Sequence, residues 1–237
     1  MWSYYGSKGN VVDLYPSPKH GKVIEPFAGS ARYSLKWFDR DVLLVDRYPI
    51  VIEIWQYLQQ ASEADILGLP KIQKGEKVSD YNVSGVEKNL LGFLVQVAQG
   101  QPRNTTGTLE GIDVEKSLRS IAKQLYKIRH WKFICGDCMK LENETATWFI
   151  DPPYQFGGEH QYKFNNKTID YSLLGEWCKS RNGQIIVCEN TKADWLPFYS
   201  MRDNSGAIKM STEAIWSNER HDFMSSQLSL FTPSNTA

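Results

Sequence analysis

The sequence predicts an α/β fold with a doubly wound, mostly parallel sheet. Three observations predict it. Short apolar runs alternate with helical patterns along most of the chain, each of those runs gives way to a polar residue, and two prolines bar one run from continuing as a strand. The 237 residues suffice for one sizeable core with a small inserted lobe.

The elements follow in order. Val23-Ile24 reads as a strand that gives way to Glu25-Pro26-Phe27-Ala28-Gly29-Ser30-Ala31 and then to a helical stretch reaching residue 38. Residues 42–45 form the second strand, ending at Asp46, and residues 50–58 the next helix. A third strand over 131–135 ends at Gly136-Asp137, and a fourth over 147–150 runs into Asp151-Pro152-Pro153-Tyr154. A helix over 170–179 and a fifth strand over 185–188, ending at Glu189-Asn190, complete the alternation. Residues 208–224 lack a helical period and are expected to supply antiparallel strands at one edge. Residues 62–132 carry two helical patterns around a Gly-Gln-Pro-Arg turn at 100–103. That is too long for a plain connection, so it reads as an inserted lobe. The main domain is then 1–61 with 133–237, ending in a tail from about residue 226.

Composition excludes several classes. Basic and acidic residues balance at 27 each, so any nucleic-acid binding must come from a local patch. The opening stretch lacks a basic-then-apolar leader and no apolar run approaches membrane-spanning length, so a cytoplasmic protein without a membrane partner is expected. Four cysteines do not suggest a disulfide framework. Cys135 and Cys138 form a lone Cys-x-x-Cys without a second pair or spaced histidines, so no metal is expected.

Asp151-Pro152-Pro153-Tyr154 carries the most chemistry. Neither proline has an N–H to donate, so the sheet must end at Asp151. A carboxylate, a rigid carbonyl and a ring then sit at a strand end, where open α/β sheets bind ligands. Asp151 and the Pro152 carbonyl suit the two hydrogens of an exocyclic amine, and Tyr154 suits stacking on a flat base. Phe27, Gly29 and Ser30 belong to a short turn that lets a ligand approach the backbone. Asp46 stands where nucleotide binders place an acid for ribose hydroxyls. Asp137, ending the third strand, is a candidate acceptor for an adenine amine. For each acid the alternative reading is a helix cap.

With these residues in hand, the chain resembles the amino-methylating DNA methyltransferases, most of all the Dam-type DNA adenine-N6 methyltransferases. Tyr4-Tyr5-Gly6-Ser7-Lys8 resembles their N-terminal motif, residues 25–31 their cofactor loop, Asp46 their ribose acid and Asp151-Pro152-Pro153-Tyr154 their catalytic motif. The resemblance covers roughly residues 1–60 and 115–200. It implies a fold of the S-adenosylmethionine-dependent methyltransferase type, S-adenosylmethionine as cofactor, and Tyr4, Lys8, Glu25, Asp46 and Asp151 among its contacts. It also implies direct methyl transfer to a flipped-out adenine of double-stranded DNA, in the setting of DNA methylation or restriction-modification. Tyr4 departs from the tryptophan common in the family, and Ala31 from its second glycine. Transfer to an RNA amine or to cytosine N4 shares the same logic, and a non-catalytic DNA-binding protein of this fold is the reading from another class.

Arg103 and Asn104 have side chains suited to base edges. Lys116, Arg119, Lys123 and Lys127 recur at spacings of three and four, which puts them on one helix face able to follow phosphates. An ordinary solvated face is the alternative. Near the tail, Gln227-Leu228-Ser229-Leu230-Phe231 resembles the peptide by which bacterial replication proteins bind the sliding clamp. In that mode Gln227 holds the pocket rim while Leu228, Leu230 and Phe231 meet the apolar cleft. Packing back as an edge strand is the alternative.

Overall fold

The computed structural model describes residues 1–2, 4–6, 11–96, 99–106, 112–157, 162–201 and 213–219. Lys8 and the tail residues Gln227, Leu228, Leu230 and Phe231 lie outside the described residues.

The strands are β1 (Lys22–Glu25), β2 (Asp41–Asp46), β3 (Lys132–Cys135), β4 (Ala146–Ile150), β5 (Gly183–Asn190), β6 (Tyr199–Ser200) and β7 (Glu213–Ser217). They form one seven-stranded sheet in the order β3-β2-β1-β4-β5-β7-β6. The pairs among β1 to β5 are parallel, whereas β7 runs antiparallel to both β5 and β6. The antiparallel element falls within the stretch the sequence indicated, but not at the edge. β7 sits one strand in, and the two-residue β6 takes the edge. A short edge strand leaves few unpaired backbone groups for a second chain to join.

Period-two alternation sends successive strand residues to opposite faces. Val23, Val42, Leu44, Phe149 and Ile186 face one core. Ile24, Leu43, Val45, Trp148 and Ile185 face the other. Both faces are therefore covered, and β4 is buried at every residue. That is why its sequence reads as an apolar run rather than an alternation. The one polar member, Thr147, spends its hydroxyl on Gln184 Oε1 at 2.9 Å.

The helices are α1 (Arg32–Lys36), α2 (Pro49–Gln60), α3 (Glu63–Leu67), α4 (Gly85–Leu94), α5 (Val114–Ala122) and α6 (Tyr171–Lys179). Local chemistry sets their starts. Ser62 with Asp65 and Ser84 with Glu87 form capping boxes, and Asp113 and Asp170 cap α5 and α6. Each cap satisfies orphan N–H groups and contributes about 1 kcal/mol. α6 buries Leu174, Trp177 and Cys178 on one sheet face. α2 covers the other with Val51, Ile54, Trp55 and Leu58.

Helices from residues 62–132 share that second core. Leu90, Leu91 and Phe93 of α4 and Leu118 and Ile121 of α5 belong to the same cluster as Trp2, Val23 and Trp55. This segment is thus joined to the sheet's helical layer through a continuous core. β1 leads by α1 to β2 on one side, while β4 flanks β1 on the other. The chain reverses direction across the sheet between β1 and β4, where such folds open a crevice at the strands' carboxyl ends.

Candidate active site

The β1 side of that crevice is a backbone cradle. Ala28 N–H donates to the Val45 carbonyl at 3.0 Å, which ties the turn to the end of β2. Gly29 N–H donates to Asp46 Oδ2 at 3.1 Å, and the Gly29 carbonyl accepts from Trp55 Nε1 at 2.9 Å. Gly29 has φ of 43°, and a Cβ there would lie 3.0 Å from Tyr4 Cδ1. Glycine is therefore favoured both by conformation and by room. Ala31, the α1 N-cap, is also left-handed at φ 45° and ψ 47°. Alanine holds this conformation at a cost of about 1–2 kcal/mol.

Two acids point into the crevice from neighbouring strands. Glu25 closes β1 at 3% exposure, and its Oε1 accepts from Ser34 N–H at 2.6 Å. Burial pushes its carboxyl up to about 8, against the Ser34 hydrogen bond, and the charge of Asp151 adds to the rise. Asp46 closes β2. Its Oδ1 accepts from Tyr48 N–H at 2.9 Å while Oδ2 takes Gly29. Burial raises its pKa to about 6 even against those two bonds. Each carboxylate oxygen keeps a further lone pair for a ligand donor.

Tyr4, Glu25, Phe27, Gly29, Ser30, Asp46 and Asp151 all line one cleft of about 800 Å³. They lie in four separate segments of the sequence, and the fold brings them together. Arg47, Tyr48, Tyr162 and Phe164 line it too, and sequence reasoning assigned them no role. Phe164 lies edge-on to Tyr48 with the Arg47 guanidinium 5.2 Å from its ring centre. The available signal was only that aromatics follow the Asp-Pro-Pro-Tyr turn by eight and ten residues.

The turn itself begins where β4 stops pairing with β5. Its Pro153 carbonyl accepts from Tyr171 Oη at 2.6 Å. Downstream, Gln155 N–H donates to Glu189, and Asn190 Nδ2 donates to the Phe156 carbonyl at 2.9 Å. The end of β5 therefore grips the backbone leaving β4. Asp151 and Pro153 line the first cleft, whereas Tyr154 lines a second of about 1100 Å³. Phe156, Asn190, Lys192 and Glu213 complete that second cleft, and Phe156 is 51% exposed at its rim. Tyr5, Gly6 and Tyr162 line both clefts and form the wall between them. Tyr162 Oη donates to the Tyr5 carbonyl at 3.3 Å, and the Tyr5 and Tyr162 rings meet edge-on at 5.2 Å.

Other expected site residues lie elsewhere. Asp137 is not among the residues lining either cleft. Its Oδ1 accepts from Met139 N–H at 3.0 Å and caps the turn Cys138–Lys140. Asn104 spends its amide on Ser79, accepting from the backbone N–H at 2.8 Å and donating to Oγ at 3.1 Å. Arg103 donates to Gln99 Oε1 at 3.3 Å, and the Gln99 carbonyl accepts Tyr5 N–H at 3.1 Å. Arg103 is thus linked through Gln99 to Tyr5 of the wall, but it lines neither cleft itself. On α5, Lys116 and Arg119 are exposed opposite the buried Leu118 and Ile121, as is Lys123 at the helix end. The stripe is partly neutralised, because Arg119 meets Glu115 at 2.6 Å and Lys71 meets the same carboxylate at 3.1 Å. α5 ends before Lys127, which sits in the turn Leu125–Ile128 with its ammonium 4.9 Å from the Phe38 ring. Among the described residues no cluster of His, Cys, Asp or Glu could hold a metal ion, and no helix is long and apolar enough to cross a membrane.

The architecture is an α/β fold built on one seven-stranded, mostly parallel sheet. Among solved structures, a candidate methyltransferase, yhhF, from Escherichia coli is 10% identical over 89% of this chain and 77% of its own, with a TM-score of 0.35. A conserved hypothetical protein from Streptococcus pyogenes is 10% identical over 84% of this chain and 87% of its own, with a TM-score of 0.36. No protein-family model matches the sequence, and neither does a curated protein.

Proposed function

We propose that the protein transfers a methyl group from S-adenosylmethionine to the N6 amine of adenine in DNA. One observation carries the reading. The Asp-Pro-Pro-Tyr turn spans two adjoining clefts, with Asp151 and Pro153 in one and Tyr154 in the other. A group-transfer enzyme needs this arrangement, because donor and acceptor must meet at one point from separate sites.

The first cleft fits the donor. Asp46 offers lone pairs for the two hydroxyls of a ribose, and Tyr48 and Phe164 offer flat faces for a purine. Asp46 and Asp151 give the cleft an acidic character suited to a cation, while the buried Glu25 stays protonated near neutral pH. The bound cofactor supplies an electrophilic methyl on a positively charged sulfur. The second cleft fits the acceptor, with Tyr154 and Phe156 as stacking surfaces and Asn190 as a hydrogen-bonding edge.

Asp151 does the central work in this reading. Its carboxylate accepts one hydrogen of the amine and, in this reading, the Pro152 carbonyl takes the other, although Pro152 itself lines neither cleft. Two acceptors favour a pyramidal nitrogen and turn its lone pair toward the donor cleft. Orientation and electrostatics then supply the rate enhancement without a covalent enzyme intermediate. Consistent with this, Cys138, Cys178 and Cys188 are buried, and burial raises the pKa of Cys138 and of Cys178.

The duplex is expected to approach past Arg103 and the exposed α5 stripe. The deciding experiment is transfer of a labelled methyl group to unmethylated DNA, followed by nucleoside analysis. Label in N6-methyladenine supports the reading. Label in N4-methylcytosine or in RNA alone redirects the substrate, and cofactor binding without transfer to any nucleic acid refutes it.

A further inference from the structure

The second cleft holds a carboxylate that the transfer chemistry leaves unassigned. Glu213 opens β7 and pairs across the antiparallel ladder with Asn190. Its backbone is fixed there, with the carbonyl accepting Met201 N–H at 3.0 Å. Its Oε2 accepts from Tyr154 Oη at 2.6 Å, and Tyr15 Oη lies 3.4 Å from the same oxygen. Tyr154 is thereby held at two ends. Its backbone follows the paired prolines, and its hydroxyl is anchored to a different strand.

That geometry matters because a phenyl ring turns about two bonds, whereas a stacking platform must present one plane. The short Tyr154–Glu213 bond holds Oη and so fixes the swing about the first bond, and because a phenolic O–H lies in the plane of its ring, the direction of Glu213 also selects the plane about the second. Burial first, and then the charges of Asp151 and Glu213, hold the Tyr154 phenol well above its ordinary value. The phenol thus remains a donor, as the bond requires. The side chain shares the second cleft with Asn190 and Phe156. The insertion of β7 between β5 and β6 is what carries Glu213 to this place.

We propose that Glu213 is a positioning residue that sets the plane of the Tyr154 ring against the acceptor base. The inference rests on the functional reading above, and its test separates the two. The variants are Glu213→Ala, Glu213→Gln, Tyr154→Phe and the double variant Tyr154→Phe/Glu213→Ala. The protein carries tyrosine labelled with ¹³C at the ζ carbon, and Tyr154→Phe identifies the Tyr154 resonance by its loss. That resonance should move in Glu213→Ala and stay near its wild-type position in Glu213→Gln, whose carbonyl still accepts the hydroxyl. Turnover should fall about tenfold or more in Glu213→Ala, the usual range for a lost hydrogen bond to a charged group. Glu213→Gln should recover most of that loss, with S-adenosylmethionine affinity unchanged throughout. The double variant should be no slower than the worse single one, because both remove the same bond.

An unmoved Tyr154 resonance in Glu213→Ala would overturn the proposal, as would losses that multiply in the double variant. Equal losses in Glu213→Ala and Glu213→Gln with lowered thermal midpoints would also overturn it, by showing a purely structural role. A wild-type protein inert on all DNA strikes the functional reading instead, and the resonance alone then decides whether Glu213 fixes the ring.

Discussion

The amide of Gly29 donates to the carboxylate of Asp46 across 3.1 Å, joining the turn after β1 to the end of β2. The other oxygen of the same carboxylate takes Tyr48 N–H. Asp46 thus shapes the cradle before any ligand arrives. Asp46→Asn puts an NH₂ against one of these two donors, leaving an N–H unpaired at a cost of about 1–2 kcal/mol. We expect cofactor affinity to fall at least about tenfold, since the turn and the ribose contact suffer together. Calorimetry with S-adenosylmethionine, beside a thermal unfolding curve, checks both. Unchanged affinity would remove Asp46 from the cofactor site.

Ala31 gives a test of backbone strain. Its left-handed conformation costs alanine about 1–2 kcal/mol, while glycine pays about 0.5–1 kcal/mol more in unfolded-state entropy. Ala31→Gly should therefore leave the thermal midpoint unchanged or raise it slightly. Ala31→Val should lower it clearly, because a β-branched side chain tolerates this region poorly. A marked loss in Ala31→Gly would show that the buried methyl group outweighs the strain.

Strand positions were legible because two-sided burial writes itself into local sequence, as in Thr147-Trp148-Phe149-Ile150. Asp151 was legible for a related reason, since paired prolines mark a strand end without help from the rest of the fold. Glu213 left no such trace. Its role depends on β7 running antiparallel to β5, a pairing set by the whole sheet. Tyr162 and Phe164 were hidden similarly, because their place in the cleft comes from contacts with Tyr5, Arg47 and Tyr48, all more than a hundred residues away in sequence. Asp137 illustrates the converse. An acid at a strand end looks alike in sequence whether it meets a ligand or caps a turn, and here it caps Cys138–Lys140.

Glu25 should make stability depend on pH. Its carboxyl rises from an ordinary 4.5 to about 8 on folding, chiefly through burial. The folded state holds the proton more tightly, so this contribution is complete below about pH 4.5 and is lost as pH climbs through 8. Glu25→Gln keeps an oxygen for Ser34 N–H without the ionisation. The variant should unfold close to wild type at low pH. Near pH 8.5 it should exceed wild type by about 2 °C or more, the shift expected from roughly 1 kcal/mol in a chain of this size. Parallel curves for both proteins between these limits would contradict the raised value.

Asp151→Ala should abolish methyl transfer, by about a thousandfold or more, in a protein that still folds. Asp151 follows the last paired residue of β4, so no ladder bond depends on its side chain. Loss of its charge should also lower the pKa of Glu25, since Asp151 is one of the causes of that rise. Turnover is read by label transfer and folding by circular dichroism. Near wild-type turnover would remove the residue from the catalytic role.

The basic stripe on α5 provides the test of how DNA is held. Lys123 stands exposed at the helix end, whereas Lys127 lies over the Phe38 ring. Arg119 is committed to Glu115, so it has less charge to offer a phosphate. The two lysines should therefore differ. Lys123→Glu should weaken DNA binding and reduce the slope of log affinity against log salt by about one, as expected for one lost phosphate contact. Lys127→Glu should weaken binding less and lower thermal stability slightly, because it also removes a cation over an aromatic ring. Neither change should alter cofactor affinity, since the first cleft includes no residue of α5. Binding measured at several salt concentrations decides the matter. Identical slopes for Lys123→Glu and wild type would return the stripe to an ordinary solvated face, leaving Lys192, which lines the second cleft, and Arg103, tied through Gln99 to Tyr5, as the basic residues to examine next.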